Sequence, residues 1–349
     1  MLKPYKRAEV SFELQKEIGH EGRNSRVHIA HDPNLDATVV IKTIAKPTLD
    51  VDAYFAESQL LHRSGHPNVV PIHYACEDAD SVYLAMPYFE RGSLNKLISN
   101  RFLTVREVIK YAAHFLSGLH NVHSKQLVHL DVKPDNILLT ERDEAMLSDF
   151  GLAKKTNYSG FAEQDRMYVR ILPPEYFLKK GFDARSDIYQ VGLTLYRMLN
   201  GNRAFYDNFD AYGKGNDFDR DQFRHDVLNE RFPDRSTYFE HVPQRFRKVI
   251  AKCLKADPAA RYKVATEVVT ALADIGGADL DWQFSVEPDG RRVWSKADGD
   301  RAIRLCVETS GRASAEKKRG DAAARRIKDY CKEGITSAEI RKFLKTEGE

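Results

Sequence analysis

His129-Leu130-Asp131-Val132-Lys133-Pro134-Asp135-Asn136, followed downstream by Asp149-Phe150-Gly151, is the stretch whose reading decides the fold. An apolar run, Ile137-Leu138-Leu139, leaves the first segment, and a second, Ala145-Met146-Leu147, leads into the other. Two short β-prone runs joined by a polar turn read as a hairpin. The order is then loop, strand, turn, strand, loop, which brings Asp131 and Asp149 together at one end of the hairpin.

Outward from that stretch, 349 residues suffice for two lobes and a further small module. Apolar residues make up 42%, enough for a core, and the 30% charged residues suit a polar surface. The net charge of +3 gives no global basic field that would speak for nucleic acid or an anionic membrane. Cys76, Cys253, Cys306 and Cys331 are scattered, without metal-ligand or disulfide spacing, as reduced thiols are. The first residues lack the apolar core of a signal peptide, and no uninterrupted apolar stretch approaches membrane-spanning length. The expected location is cytoplasmic, with no membrane contact.

Residues 12–18 alternate in polarity, and 27–30 and 38–42 continue as strands beyond a glycine-containing turn. Asp50 or Asp52 can cap a helix carrying Tyr54, Glu57, Leu60 and Leu61, and strands around 69–74 and 82–86 follow. After Gly92 the pattern turns helical, with a helix starting at Ser93 and others over residues 105–120, 186–199, 245–254 and 265–275. This predicts an α+β fold of two lobes, residues 1–88 and 89–275, joined near residues 87–92. Residues 276–349 read as a small C-terminal α/β module. Its hairpin turns on Pro288-Asp289-Gly290. Helices are expected over 321–332, C-capped at Gly334, and over 337–345, opened by the capping box of Thr336 and Glu339.

The His-x-Asp-x-Lys-Pro-x-Asn segment and the Asp-Phe-Gly after it resemble the eukaryotic-type Ser/Thr protein kinase family, over about residues 12–275. The resemblance implies the two-lobed protein-kinase-like fold, a β-rich N-lobe and a helical C-lobe. It also implies Mg-dependent transfer of the ATP γ-phosphoryl group to protein Ser/Thr hydroxyls. ATP and Mg2+ are the implied cofactors, with Mn2+ as a substitute, and the partners are protein substrates the sequence does not name. Asp131 would serve the acceptor hydroxyl and Lys133 the charge on the transferred group. Asn136 and Asp149 would bind the metal through one neutral and one charged oxygen. Lys42, held by Glu57, would reach the α- and β-phosphates. Gly19 and Gly22 belong to the phosphate-covering turn, where backbone must approach phosphate with no Cβ in the way. His20 and Ser25 stand where the family carries its other glycines. For the adenine slot the family alignment implies Val27 and Val40 as roof, Leu138 as floor, Met86 as rear wall, and Pro87, Tyr88 and Phe89 as hinge. Leu61, His129 and Phe150 would stack as a spine, Glu175 would pair with Arg261, and Asp187 would hold the catalytic loop.

Two departures stand out. Leu130 replaces the family's arginine, which normally grips an activation-segment phosphate, so activity is expected not to depend on phosphorylation of Thr156, Tyr158 or Ser159. Tyr168 stands where the family usually carries a threonine. The rival reading, a pseudokinase scaffold, would fit loss of Lys42, Asp131 or Asp149, and all three are present. For the module no family resemblance is evident. A helix-turn-helix there could offer Arg325, Arg326, Lys328, Arg341 and Lys342 to phosphates, as in a nucleic-acid-associated regulatory kinase. Interleaved acids, and Ile327, Ile335, Ile340, Phe343 and Leu344 as ordinary core, favour a partner protein over nucleic acid. Trp282, Phe284 and Trp294 either dock the module on the large lobe or form its own core.

Overall fold

The alternating N-terminal residues form a five-stranded antiparallel sheet in the computed structural model, which describes residues 10–19, 25–48, 55, 59, 65–164 and 167–348. Its strands are β1 (Glu13–Gly19), β2 (Ser25–Asp32), β3 (Ala37–Ala45), β4 (Tyr74–Glu77) and β5 (Ser81–Pro87), in the order β1-β2-β3-β5-β4. Val27 lies opposite Lys42, and Val40 lies opposite Ile29 and Met86. Because successive side chains point to opposite faces, Val27, Val40, Lys42 and Met86 share one face of this sheet. The strand expected over 69–74 begins only at Tyr74. Val69 instead makes a single parallel bridge to Leu147, and the Val70 N–H donates to the Leu147 carbonyl at 2.9 Å. The chain is thereby committed to the second lobe before it can join the first sheet. Of the helix expected after Asp50, only Phe55 and Gln59 are described, both helical. Glu57, Leu61, His20 and Gly22 lie outside the described residues.

In the second lobe, α1 (Leu94–Asn100) is capped as expected by Ser93, whose hydroxyl accepts from the Lys96 N–H. Thr104 and Glu107 form a full capping box at the start of α2 (Val105–Ser124). A Cβ at Gly118 on α2 would lie 2.3 Å from the Asn68 carbonyl oxygen. Glycine there lets the 66–70 segment lie against the helix, and the same carbonyl accepts the Leu147 N–H at 2.8 Å. After β6 (Leu127–Val128), the hairpin appears as read: β7 (Ile137–Leu139) pairs antiparallel with β8 (Ala145–Leu147). Then come β9 (Lys154–Lys155), α3 (Pro174–Phe177) and α4 (Ala184–Asp210), which is broken at Gly201 with φ 80°. The lobe closes with α5 (Arg220–Leu228), α6 (Gln244–Cys253) and α7 (Ala265–Ala273) around one apolar core that includes Phe115, Leu119, Ile137, Leu195, Phe246 and Leu272. Among the described residues no helix is long and apolar enough to cross a membrane.

The C-terminal residues build a second antiparallel sheet, β10 (Gln283–Val286), β11 (Arg292–Asp298), β12 (Arg301–Val307), β13 (Ala313–Arg319) and β14 (Arg325–Arg326), paired in sequence order. The hairpin turn is present, with Gly290 at φ 84°. The helix α8 (Ser337–Thr346) follows its predicted capping box. The helix expected over 321–332 is absent. Arg325 and Arg326 pair with Lys317 and Glu316, the Ile327 N–H donates to Ala315, and Ala313 and Lys332 exchange both backbone bonds. An edge strand presents unpaired backbone groups, and satisfying β13's outweighs the helix propensity of the Ala322-Ala323-Ala324 run. With it goes the helix-turn-helix. Trp282, Phe284 and Trp294 are all fully buried, and they divide the two expected roles. The Trp282 indole donates to the Leu344 carbonyl within the module, whereas Phe284 packs on Phe102 and Phe239 of the large lobe at ring distances of 4.9 and 4.2 Å.

Glu175 on α3 and Arg261 before α7 are each 3% exposed and form a two-toothed pair at 2.8 and 2.7 Å. Arg261 also donates to the carbonyls of Arg185, Lys255 and Ala256, and the Ser186 hydroxyl donates to Glu175. Removing the acid strands a buried guanidinium. Glu175→Ala is therefore expected to lower unfolding free energy by about 3–5 kcal/mol. Urea denaturation checks this, and a change within about 0.5 kcal/mol, usual for surface substitutions, would contradict it.

Candidate active site

The loop carrying Asp131 is hung from one face of α4. Asp187, Gln190 and Thr194 stand at positions i, i+3 and i+7, hence on the same side of that helix. The wholly buried Asp187 carboxylate accepts the His129 N–H at 2.8 Å, the Leu130 N–H at 2.7 Å and the His123 Nε2–H at 2.7 Å. Gln190 accepts from the Val132 N–H at 2.9 Å and donates to the Leu130 carbonyl at 3.0 Å, and the Thr194 hydroxyl donates to the Val132 carbonyl. Leu130 sits at φ 62°, a left-handed conformation that costs a branched residue of order 1–3 kcal/mol and persists where surroundings dictate it. Asp135 next to Asn136 is anchored by the buried Arg197 at 3.3 Å.

His129 ties this loop to the one bearing Asp149. Its Nδ1 accepts the Asp131 N–H at 3.3 Å, which leaves the hydrogen on Nε2, facing the Ser148 carbonyl at 3.1 Å. Burial pulls its pKa down, so the ring stays neutral and keeps that tautomer. His129 also stacks on Phe150 with ring centroids 4.8 Å apart, two members of the expected spine. The Ser148 N–H and hydroxyl both donate to the Asn136 carbonyl, at 2.8 and 3.0 Å.

Five polar side chains result. The Asn136 amide donates to the Asp131 carbonyl at 3.0 Å and to its Oδ2 at 2.7 Å, which turns the amide oxygen away from Asp131. Lys133 Nζ lies 3.1 Å from the same Oδ2 and 4.7 Å from the centre of the Tyr168 ring. Asp131 Oδ1 is buried with no hydrogen-bond partner. Lys42 on β3 donates to Asp149 Oδ1 at 2.5 Å. Burial would raise the Asp149 pKa, but the charge and hydrogen bond of Lys42, aided by the Gly151 N–H, prevail and bring it down to about 2. A Cβ on Gly151 would crowd both Asp149 Oδ1 and Lys42 Nζ at 3.2 Å.

The apolar residues expected around the adenine fall on β2, β3, β5 and β7 and on the chain just after β5. Val27, Val40, Met86, Pro87, Tyr88, Phe89 and Leu138 are each left half-buried, between neighbours such as Val39, Ile41, Ile137 and Leu139 that are sealed. Leu138 is pinned below by its bridge to Ser93, and Leu139 donates its N–H to the Gly92 carbonyl. Gly19 ends β1, and its companion Gly22 lies outside the described residues. So does Glu57; among the described residues Lys42 pairs with Asp149. Sequence reading missed Gln190, Thr194 and Ser148, although the 3.6-residue spacing from Asp187 could have pointed to the first two.

No three His, Cys, Asp or Glu side chains gather to hold a metal among the described residues. Magnesium on a nucleotide needs only one or two protein oxygens, the rest coming from phosphate and water. The ionised Asp149 carboxylate and the amide oxygen of Asn136 fit that requirement.

Residues 12–271 match the family model of the protein kinase domain, and the chain belongs to that family. It is 27% identical over 293 residues to the serine/threonine-protein kinase PrkC of Bacillus subtilis, a match covering 81% of this chain and 44% of that protein. A probable serine/threonine-protein kinase of Clostridium acetobutylicum is 28% identical over 271 residues, covering 76% and 40%. PknJ, a serine/threonine-protein kinase of Mycobacterium tuberculosis, is 25% identical over 283 residues, covering 78% and 46%. The chain spans less than half the length of these curated relatives.

The Lys42–Asp149 pair carries a pH signature. Its folded-state pKa of about 2 lies below the ordinary 3.8, so the pair's stabilisation is complete above the ordinary value and is lost as pH falls through about 2. Lys42→Met leaves burial unopposed by the lysine and should move the Asp149 titration upward. Carboxyl-carbon NMR checks this, and an unmoved titration would contradict the pairing.

Proposed function

We propose that this chain transfers the γ-phosphoryl group of ATP to serine or threonine hydroxyls of protein substrates, with Mg2+ as the metal. The observation that supports the reading is the pair of hydrogen bonds from Ser148 to the Asn136 carbonyl, which ties the residue next to Asp149 to the loop that carries Asp131 and Asn136. The family membership and the serine/threonine-kinase relatives support the same reading.

Asp149 and the Asn136 amide oxygen would hold the metal. When bound, Mg2+ neutralises phosphate charge and orients the β- and γ-groups. Lys42 is within reach of Asp149 and would turn its ammonium to the α- and β-phosphates. On Asp131, Oδ2 is taken by Asn136 and Lys133, and Oδ1 is unpartnered. Oδ1 is therefore the atom we assign to the acceptor hydroxyl: it aligns the oxygen for in-line attack and takes its proton as the new O–P bond forms and the bond to the ADP oxygen breaks. Lys133 offsets the negative charge on the transferred group. The presence of Lys42, Asp131 and Asp149 supports a working transferase over a silent scaffold.

Activation in this reading needs no phosphate on the segment after Asp149. Leu130, fully buried, packs with Val128, Ala162 and Phe182 and offers no charge to a phosphate. The described part of the segment is held by other means. β9 pairs with β6, Ala162 and Phe182 exchange backbone bonds at 2.7 and 2.8 Å, and the Asn157 side chain accepts the Ser159 and Phe161 N–H groups. We assign residues 276–349 an interaction or regulatory role.

Asp131→Ala should lower phosphate transfer to a protein acceptor by about 10²–10⁴-fold while circular dichroism stays unchanged. Wild-type rates in that variant would remove Asp131 from the chemistry. The triple substitution Thr156→Val, Tyr158→Phe, Ser159→Ala should keep most of the activity. Loss of nearly all of it would show that a phosphate on this segment is required after all.

A further inference from the structure

Tyr168 is held by the same helix that holds the Asp131 loop. It precedes a short 3-10 turn, Val169–Ile171, in which the Ile171 N–H donates to the Tyr168 carbonyl at 3.0 Å. Gln190 of α4, whose amide donates to the Leu130 carbonyl, also donates to the Ile171 carbonyl at 3.4 Å. One side chain therefore spans both segments and ties Tyr168 to the loop that bears Asp131 and Lys133.

Between the two segments, cations and rings alternate. Lys133 Nζ lies 4.7 Å from the centre of the Tyr168 ring, inside the range of a cation–ring attraction. The Arg170 guanidinium lies 5.6 Å from the same ring centre, and its Nη1 donates to the Tyr168 hydroxyl. Arg170 also rests 5.1 Å from the ring of Tyr206 and 5.1 Å from that of Phe209, which stand three residues apart on α4 beyond Gly201. Its Nε is buried with no hydrogen-bond partner, so among the described residues the rings and the Tyr168 hydroxyl are what hold it. The Tyr206 ring lies 5.3 Å from the buried Arg197 and its hydroxyl accepts from that arginine at 3.0 Å. Arg197 in turn anchors Asp135 beside Asn136. The Tyr168 ring thus stands between Lys133 and a chain of contacts that ends on the same loop.

A ring holds an ammonium differently from an acid. A carboxylate would offset the positive charge that the transferred group needs, whereas a ring face attracts the ammonium while carrying no net charge. Asp131 Oδ2, 3.1 Å from Lys133 Nζ, already supplies one anion. We propose that Tyr168 is a positioning residue for phosphoryl transfer: its ring keeps the Lys133 ammonium in place beside Asp131, and Arg170 keeps the ring in place. This rests on the reaction proposed above. Tyr168 is 39% exposed, so shortening it opens no sealed core.

Two measurements on the full chain test the role. The first is carbon-13 lysine NMR without nucleotide, following the Lys133 ε-methylene signal, which is identified by its loss in Lys133→Arg. Tyr168→Leu removes the shielding of the ring and should shift that signal downfield, whereas Tyr168→Phe should leave it near its wild-type position. The second is phosphate transfer from ATP to a degenerate serine/threonine peptide library. Tyr168→Leu should slow the rate at saturating ATP about tenfold, the size of one partly buried cation–ring contact, with the KM for ATP unchanged. Tyr168→Phe should keep most of the rate. In a Lys133→Met background the same leucine should cost less than about twofold, because the residue through which Tyr168 acts is gone. A wild type that transfers no phosphate overturns the kinase reading, and this role with it. With an active wild type, any of four results overturns this role alone: the Lys133 signal stays put in Tyr168→Leu, that variant is as fast as wild type or faster, Tyr168→Phe is as slow as Tyr168→Leu, or the leucine costs as much with Lys133→Met as without it.

Discussion

The candidate site depends on one buried carboxylate. Asp187 is fully shielded from water, and a charge in that position is tolerated only when hydrogen bonds replace its lost hydration. It takes those bonds from His123 and from the consecutive N–H groups of His129 and Leu130. Meeting them forces Leu130 into its left-handed conformation, which turns the chain so that Asp131 departs toward the cleft. Gln190 and Thr194 repeat the anchoring one and two turns further along the helix, at Val132. The loop's position is thus a property of a long helix buried in the core.

From that anchor the geometry passes to the second acid through neutral groups. His129 hands the constraint to Ser148, and Ser148 closes it on Asn136. The charged groups, Lys42 with Asp149 and Lys133 with Asp131, are layered on a frame already set by backbone bonds. In the proposed reaction such a frame would let the lysines exchange a carboxylate partner for phosphate without unfolding the site, since their partners are held independently.

Part of this is legible in the sequence: the β7–β8 hairpin follows from two apolar runs around a turn. Asp187, Glu175 and Arg261 are legible only through the family resemblance, and the structure shows why they matter, since each is a polar group buried with its partners. What escapes the sequence is decided by distant partners. The 321–332 stretch has helical composition, but the edge of β13 is invisible to any local reading. Val69 looks like strand and is claimed by Leu147 across the lobes. Tyr168 stands out as unusual, yet only the fold places its ring against the Lys133 ammonium. The module's junction is half legible. Its aromatic residues are conspicuous, but the seam they form with Phe102, Phe239 and His241 requires the lobe's own rings to be in place. Each ring pair there contributes on the order of 0.5–1.5 kcal/mol beyond simple burial, which argues for a fixed junction.

The most direct test of the account is a crystal structure with Mg2+ and a non-hydrolysable ATP analogue, read at the metal. The account requires an Asp149 carboxylate oxygen and the Asn136 amide oxygen at about 2.1 Å from Mg2+, with Asp131 Oδ1 open toward the γ-phosphate on the same side. A nucleotide bound elsewhere, or a metal ligated by neither residue, would contradict the shared cleft on which the proposed chemistry stands.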